Sequence, residues 1–296
     1  MTETATIAAS KEWLEGTGGR LFIRHWEPDV KPKASLVICP GFNAHSGQYD
    51  RAAKEFAGHG FAVTAVDLRG RGESDGERFY VENIGDYASD LSLTIEEAAR
   101  DRHPDLSIYL LGHSAGGVTA VSYALDHQDR IAGLISEDFA FRVFAPDFAL
   151  KAIEGASHIA PHVHALKLKM ENFSRDPEWV AQLNADPLTK DESQPVETVA
   201  ALARAAERLD REFNRITLPV LIIHGTADKV TRPDGSEQFY RDAGSSDKTL
   251  KLYEGSYHDP LNDLDREQVM SDIEAWIDAR IPIKEGAAMP SPQVAV

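Results

Sequence analysis

The sequence predicts an α/β fold, with a mostly parallel sheet flanked by helices and a helical insertion before the last strands. Short apolar runs that end in glycine-rich turns alternate with helical patterns, which is typical of parallel βαβ units. This alternation stops after residue 137 and resumes after residue 214, which indicates an insertion into one α/β domain. A chain of 296 residues with 42% hydrophobic content is long enough to bury such a core.

The first elements are two strands of a hairpin, because "GTGG" separates "KEWLE" from the alternating pattern of "RLFIRHWEP". A buried strand in "ASLVICPG", a helix over 48–59 and a second buried strand in "FAVTAVDLRGRG" follow. Helical spacing in "IGDYASDLSLTIEEAARDR" then precedes the strand "SIYLLG", a helix over 115–126 and the strand "IAGLISE". These segments form the first part of the predicted core, residues 1–137.

The segment 138–214 contains five prolines, several helical patterns and no convincing strand pattern. We predict that it forms a helical cap over the sheet. The core then resumes over 215–281 with "LPVLIIHGTAD", a helix over 235–243, "KTLKLYEGSYH" and a helix over 263–280. We expect the final residues, 282–296, to be a mobile tail.

Composition limits the partners and the location of the chain. The net charge of −17 argues against nucleic-acid binding and against docking on anionic lipid. Cys39 is the single cysteine, so an intrachain disulfide is impossible. The polar, acidic start has no signal-peptide pattern, and no apolar run approaches the roughly 20 residues that span a bilayer. We therefore expect a cytoplasmic protein without a transmembrane segment.

Ser114 lies in the stretch "GHSAG", directly after a predicted strand and before a predicted helix. In that context G-x-S-x-G is typical of a nucleophile elbow, a sharp turn that exposes the serine hydroxyl above a sheet. The small neighbouring residues let strand and helix pass closely. The alternative is a plain turn in which the serine only caps the helix.

A serine hydroxyl needs a base to remove its proton, and the base needs an acid to orient it. His258 follows the strand-like "LKLY", and Asp228 follows "VLII". Ser, Asp and His thus occur in the chain order of an α/β-hydrolase triad, each just after a predicted strand. We expect Ser114 to be the nucleophile, His258 the general base and acid, and Asp228 the residue that orients it.

The chain resembles the monoglyceride lipase branch of the α/β-hydrolases, also known as the serine aminopeptidase S33 or lysophospholipase-like family. The resemblance covers residues 35–280 and rests on "PGFNAHSGQY", "DLRGRGESDG", "GHSAGG", "HGTAD" and "LKLYEGSYH". It implies an α/β-hydrolase fold with a helical cap. It also implies a cofactor-free serine hydrolase that acts on a small, lipid-like ester.

The first loop departs from the family pattern His-Gly-x-Gly-Glu-His-Ser, because this chain has "PGFNAHS" there. The resemblance implies that the backbone N–H groups of Phe42 and Ala115 form the oxyanion hole, because these two residues occupy the corresponding positions in the family. Backbone donors tolerate changes of side chain, and each contributes about 3–4 kcal/mol to transition-state stabilisation.

A second departure follows the strand "IAGLIS", where similar lipases carry small or neutral residues and this chain has Glu137 and Asp138. We consider Glu137, Asp138 and Phe139 candidate pocket residues, with the carboxylates binding a hydroxyl or cationic group or disfavouring anionic substrates. The alternative for Asp138 is capping of a helix or docking of the cap. The phenylalanines of the insertion form either an apolar acyl pocket or ordinary core.

Three histidines of the insertion, His158, His162 and His164, raise the question of a metal site. Pro161 interrupts the helix that would align the first two, and no cysteine or carboxylate cluster completes a ligand set. We therefore expect no metal there.

The favoured function is hydrolysis of a monoacylglycerol, or another medium-to-long-chain monoester, through an acyl-enzyme on Ser114. The same triad also suits an amidase or aminopeptidase, a lysophospholipase or a perhydrolase side reaction. An acidic pair at the pocket would favour a substrate with a free amine. Outside enzymes, the fold also suits a ligand-binding receptor, and the sequence leaves the oligomeric state open.

Overall fold

The computed structural model describes residues 7–282, except for the side chains of Asp147, Phe148 and Leu150. The strands within that range are, in chain order, β1 (Ser10–Gly16), β2 (Gly19–Trp26), β3 (Ala34–Cys39), β4 (Phe61–Asp67), β5 (Ile108–His113), β6 (Gly133–Glu137), β7 (His164–Leu166), β8 (Gln194–Pro195), β9 (Val220–Gly225) and β10 (Lys248–Tyr253). The α-helices are α1 (Asp50–Gly58), α2 (Ile84–Leu93), α3 (Ala115–His127), α4 (Asp147–Ser157), α5 (Pro177–Ala185), α6 (Val196–Glu212), α7 (Pro233–Asp242) and α8 (Arg266–Asp278).

Eight strands form one sheet in the order β1-β2-β4-β3-β5-β6-β9-β10. The predicted hairpin β1–β2 joins the sheet by antiparallel pairing of β2 with β4. All pairings from β4 to β10 are parallel. The central strands β3, β4, β5, β6 and β9 are buried along their whole length, as expected for parallel strands covered on both faces. The predicted fold class is confirmed.

Alternate side chains of the central strands supply two core layers, one on each face of the sheet. On β3, for example, Val37 and Cys39 pack with α2, α3, α6 and α7, while Leu36 and Ile38 pack with α1 and α8. The β-strands between these layers have no free face, which explains their continuous apolar sequences.

Two predicted helices begin later than the sequence pattern indicates. The helix predicted over 48–59 starts as a 3-10 turn, Ser46–Tyr49, before α1. The helix predicted over 263–280 begins at Arg266, because the Asp263 carboxylate accepts hydrogen bonds from the N–H groups of Arg175 and Tyr257. These long-range bonds hold Asp263 in the preceding loop.

The prediction that the insertion (residues 138–214) lacks strands is wrong. It contains β7 and β8, which pair antiparallel beside α6. Both strands are very short, β7 is exposed, and β8 includes Pro195, so neither has the alternation that marks a strand in sequence. The division of the chain at residues 138 and 214 stays an interpretation. The predicted tail, 282–296, lies outside the described residues except for its first residue.

The insertion lies at the carboxyl edge of the parallel strands. Its Asp186 accepts a hydrogen bond from His45, in the loop after β3, at 2.8 Å. Its Trp179 donates from Nε1 to Asp259, in the loop after β10, at 2.9 Å. Loops that follow strands of one parallel sheet meet at one edge, so the insertion covers that edge. Among residues 7–282, no helix has the length and apolar character that crossing a bilayer requires.

The turn between β5 and α3 depends on close backbone packing. A Cβ atom added to Gly116 would lie 2.2 Å from the Cys39 carbonyl oxygen and 2.5 Å from that of Pro40. Real Cβ atoms do not approach backbone oxygens so closely, so only glycine fits between β3 and the start of α3.

We expect G116A to lower the free energy of unfolding by about 3 kcal/mol or more, because the added methyl group forces the backbone of β3 or α3 to move. The matched control is G155A in α4, where an added Cβ meets no atom within 4 Å. There the gain in helix propensity should stabilise the protein by about 0.5–1 kcal/mol. Urea denaturation measures both, and equal stability of the two variants would contradict the packing argument.

Candidate active site

Ser114 occupies the sharp turn between β5 and α3 with φ 56° and ψ −119°, a backbone conformation that non-glycine residues rarely adopt. Its N–H donates to the carbonyl oxygen of Glu137 at 2.9 Å, which holds the turn against β6. Strain of this kind persists only where the surroundings fix it. The turn is the nucleophile-elbow geometry that the sequence pattern predicts, with the serine side chain at the carboxyl edge of the sheet.

The structure brings together the three residues predicted as a triad. Ser114 Oγ lies 2.9 Å from His258 Nε2, and His258 Nδ1 lies 2.8 Å from Asp228 Oδ2. Ser114 and Asp228 are 5% exposed and His258 is fully buried. A continuous hydrogen-bonded line therefore runs from a buried carboxylate through an imidazole to a serine hydroxyl.

Asp228 is held by five hydrogen-bond donors. Its Oδ1 accepts from the N–H groups of Val230 and Thr231 at 2.6 and 3.0 Å. Its Oδ2 accepts from Thr231 Oγ1 at 2.6 Å and lies 3.2 Å from His224 Nε2, besides its contact with His258. Burial alone would raise the pKa of Asp228, but the two histidines lower it well below its ordinary value. The carboxylate is thus kept ionised beside His258.

His224 is a site residue that the sequence analysis missed. It is the last residue of β9 before Gly225, its side chain is fully buried, and its Nδ1 lies 2.7 Å from Ser236 Oγ. With Nδ1 accepting from the serine hydroxyl, Nε2 carries a proton that it can donate to Asp228. The sequence does contain a signal for it, because in "LIIHG" His224 is a polar residue at the carboxyl end of an otherwise apolar strand.

His113, next to the nucleophile, supports His258 from the other side. Its Nε2 donates to the His258 carbonyl oxygen at 2.8 Å, so its Nδ1 accepts from the Tyr49 hydroxyl at 3.1 Å. Burial and the neighbouring His258 lower the pKa of His113 to about 3, so it stays neutral. It fixes the backbone of His258 without competing for the proton.

The candidate pocket residues Glu137, Asp138 and Phe139 lie in the protein core. All three are 0% exposed, so they do not line an open pocket. Glu137 accepts from Leu261 N at 3.1 Å, and Asp138 accepts from Gly225 N at 2.8 Å. Burial raises the pKa of both carboxyl groups well above the ordinary values, which favours their protonated forms.

Asp138 also does not cap a helix, since α4 begins nine residues later at Asp147. It has a left-handed backbone with φ 41°, and its carboxyl Oδ1 lies 3.5 Å from His224 Nε2. Its contacts join β6 to β9 beneath the triad. Glu137 and Asp138 thus bind backbone groups of neighbouring segments, and the substrate-binding role expected of them stays a prediction.

Phe139 belongs to an aromatic cluster with Phe141, Phe213 and Phe239, whose ring centroids lie 5.3–6.1 Å from its own. This cluster is ordinary core between β6, α6 and α7. Phe144 is 62% exposed, and the side chain of Phe148 is outside the described part of the structure. The ring of Phe173, also in the insertion, instead packs edge-on against the ring of His258, with the two ring centroids 5.0 Å apart.

The loop after β3 lies against the nucleophile turn. A Cβ atom added to Gly41 would be 2.9 Å from Ser114 Cβ and 3.3 Å from Ala115 N. Among the described residues, neither the N–H of Phe42 nor that of Ala115 has a hydrogen-bond acceptor. Two free donors beside the serine are what an oxyanion hole requires, and this role stays a prediction.

Within residues 7–282, two buried groups of side chains come close enough to hold a metal ion, and both include Asp138. One adds His224 and Asp228, and the other adds His113 and His258. Each of these histidines already uses both ring nitrogens in the hydrogen bonds given above, so metal binding would break the triad. We assign these groups to the hydrogen-bond network.

Comparisons with known proteins agree with this fold. The family described as serine aminopeptidase, S33, matches residues 30–265, which include all three triad residues. The chain is 30% identical to the monoacylglycerol lipase of Mycolicibacterium smegmatis, over 90% of this chain and 96% of that protein. It is 31% identical to the caffeoylshikimate esterase of Arabidopsis thaliana, over 93% of this chain and 87% of that protein. The crystal structure of Paleococcus ferrophilus monoacylglycerol lipase matches with a TM-score of 0.79 at 27% identity, covering 88% of this chain and 99% of that one.

The buried Asp138 makes stability depend on pH in a testable way. Its carboxyl has a raised pKa in the folded chain, whereas it ionises near pH 3.9 in the unfolded chain. The protonated Asp138 carboxyl therefore makes its full contribution to stability below that pH. The contribution is lost as the pH rises from there toward the pKa of the folded state. D138N keeps the acceptor for Gly225 N and cannot ionise. We expect its stability relative to the natural protein to grow between pH 4 and 7, by at most about 1.4 kcal/mol per pH unit.

Urea denaturation at several pH values measures this difference. The control is D29N, which alters an exposed carboxylate that water solvates in both states. Its stability difference should be constant over the same pH range. A constant difference for D138N as well would show that Asp138 is ionised in the folded protein.

Proposed function

The chain belongs to the serine aminopeptidase S33 family of α/β-hydrolases and is a carboxylic ester hydrolase, and from this premise we propose that it cleaves monoesters through an acyl-enzyme on Ser114. The observation that carries the proposal is the line of hydrogen bonds from Asp228 through His258 to Ser114, at 2.8 and 2.9 Å. A serine in contact with an oriented imidazole is an activated nucleophile.

In the first half-reaction, Ser114 Oγ attacks the ester carbonyl carbon while His258 Nε2 takes the hydroxyl proton. The ionised Asp228 stabilises the imidazolium that forms, and it holds Nδ1–H toward itself so that Nε2 faces the serine. The backbone N–H groups of Phe42 and Ala115 donate to the oxyanion of the tetrahedral intermediate. The intermediate collapses to the acyl-enzyme, and the alcohol leaves with the proton from His258.

In the second half-reaction, His258 takes a proton from water, and the hydroxide attacks the acyl carbonyl carbon. The second tetrahedral intermediate uses the same two N–H donors. Its collapse breaks the bond to Ser114 Oγ, which regains its proton from His258 and releases the carboxylic acid. These steps use side chains and backbone N–H groups of this chain together with water, and they need no cofactor.

The proposed substrate is a monoacylglycerol or a similar monoester with a medium-to-long acyl chain. Relatives named monoacylglycerol or monoglyceride lipase support this choice at about 30% identity over nine-tenths of the chain. The surroundings of the triad also favour an uncharged group, since Phe173 packs on His258 and the nearby carboxyl groups are buried in the core. The buried position of Ser114 requires the insertion to move when the substrate enters.

Amide hydrolysis is the alternative that the family description favours, because aminopeptidases act on a substrate with a free amine. Such a substrate would need an accessible carboxylate near Ser114 to pair with its charge. Glu137 and Asp138, the carboxyl groups nearest in sequence to the end of β6, are fully buried. The ester is therefore the better-supported substrate.

A substrate panel tests this proposal. We expect a higher kcat/KM for monoacylglycerols and for p-nitrophenyl esters of increasing chain length than for aminoacyl amides of matched size. S114A should lower kcat by at least about 10⁴-fold on every substrate, because it removes the nucleophile.

The outcomes separate the alternatives. A preference for the aminoacyl amides would replace the ester with a peptide or amide substrate. Turnover that S114A does not reduce would exclude Ser114 as the nucleophile. If the folded natural protein turned over none of these substrates, the chain would instead be a ligand-binding member of the fold.

A further inference from the structure

A carboxylate of the insertion, Glu192, reaches the loop that carries the predicted oxyanion donor Phe42. Glu192 follows α5 and is 1% exposed. Its Oε1 accepts from the backbone N–H of Asn43 at 2.8 Å and from Gln194 Nε2 at 2.6 Å. The same oxygen pairs with the guanidinium of Arg71. A charged side chain from one part of the chain is thus buried against the backbone of another.

Arg71 completes this contact from the core side. It is 1% exposed, and it donates to the Tyr87 hydroxyl at 3.0 Å and to Gln194 Oε1 at 2.8 Å. Its guanidinium also lies over the Phe42 ring, 4.4 Å from the ring centroid. Glu192 therefore holds the Phe42–Asn43 peptide unit at its N–H, and Arg71 contacts the ring of Phe42 beside it.

Asn43, whose N–H Glu192 holds, has an unusual backbone conformation. Asn43 has φ 56°, in the left-handed region that is sparsely populated by residues other than glycine. Such a conformation persists where external contacts fix it, and the bond from Asn43 N–H to Glu192 is such a contact. The Phe42 N–H belongs to the preceding peptide unit, which is joined to this one at the Phe42 Cα, so its direction depends on how the Phe42–Asn43 unit is held.

We propose that Glu192 is a positioning residue for the oxyanion hole, holding the Phe42–Asn43 peptide so that the Phe42 N–H points toward the carbonyl bound at Ser114. This inference rests on the proposed function. It implies that the hole is complete only while the Glu192 segment of the insertion is in place. Catalytic competence is then coupled to closure of the insertion over the sheet edge.

A matched pair of double variants isolates the hydrogen bond from the buried charge. R71M/E192Q and R71M/E192M both remove the ion pair and the contacts of Arg71 with Tyr87 and the Phe42 ring. Replacing a buried ion pair by neutral residues of similar volume is often tolerated, so both are expected to fold. The first keeps a side-chain oxygen that accepts from Asn43 N–H, and the second has no acceptor.

We expect kcat of R71M/E192M on a p-nitrophenyl ester to be about 10-fold or more below that of R71M/E192Q, with KM within about twofold. Loss of a direct oxyanion donor costs about 10²–10³ in kcat, so a misplaced donor should lose part of that factor. A trifluoromethyl ketone, which forms an oxyanion on the serine, should bind R71M/E192M more weakly by a similar factor. The corresponding methyl ketone should bind both variants equally.

Equal kcat values and equal trifluoromethyl ketone binding in the two variants would overturn the proposal and leave Glu192 as a structural link only. Should R71M/E192M not fold, E192D tests the same point, because it keeps a charge beside Arg71 but withdraws the oxygen from Asn43. E192D should lower kcat several-fold at unchanged KM. A kcat equal to that of the natural protein would overturn the proposal. Absence of ester turnover in the natural protein would instead contradict the proposed function.

Discussion

The site depends on one buried charge, the carboxylate of Asp228. An ionised carboxyl group is stable in the interior only when donors replace the water that it has lost. Backbone N–H groups of its own turn, the hydroxyl of Thr231 and the rings of His224 and His258 supply those donors. These bonds fix the position of Asp228 and hence the orientation of His258 toward Ser114. The parallel sheet serves this arrangement by ending β5, β9 and β10 at one edge.

The pKa values of the other buried carboxyl groups near the triad are shifted in the opposite direction. Glu137, Asp138 and Asp259 are each at most 5% exposed, and burial raises the pKa of each, in the case of Asp259 to about 6. Asp228 alone among these four faces two imidazole rings at hydrogen-bond distance. Environment thus gives similar side chains different pKa values: histidines lower that of Asp228, while burial raises those of its neighbours. Glu137 and Asp138 therefore favour their protonated forms, whereas Asp228 stays ionised beside His258.

The sequence predicts the parts of the site that local pattern determines. Ser114, Asp228 and His258 each follow an apolar strand, and ends of parallel strands meet in space, so their convergence followed from order along the chain. The burial of Glu137 and Asp138 could not be predicted, because sequence shows that they lie at the end of β6 and just after it but not that β9 and the loop after β10 enclose them. His224 and Glu192 were missed because their partners, Asp138 and Asn43, are distant in sequence and adjacent only after folding. Long-range contacts of this kind leave no periodic signal.

The most direct test is the rate at which a fluorophosphonate modifies Ser114, followed by intact mass and peptide mapping. If buried Asp228 activates the serine through His258, the natural protein takes one adduct, located on Ser114. D228N should then react about 10⁴-fold more slowly while remaining folded, as expected for loss of the acid that orients the base. An equal rate in D228N, or an adduct on another residue of the folded natural protein, would contradict the account.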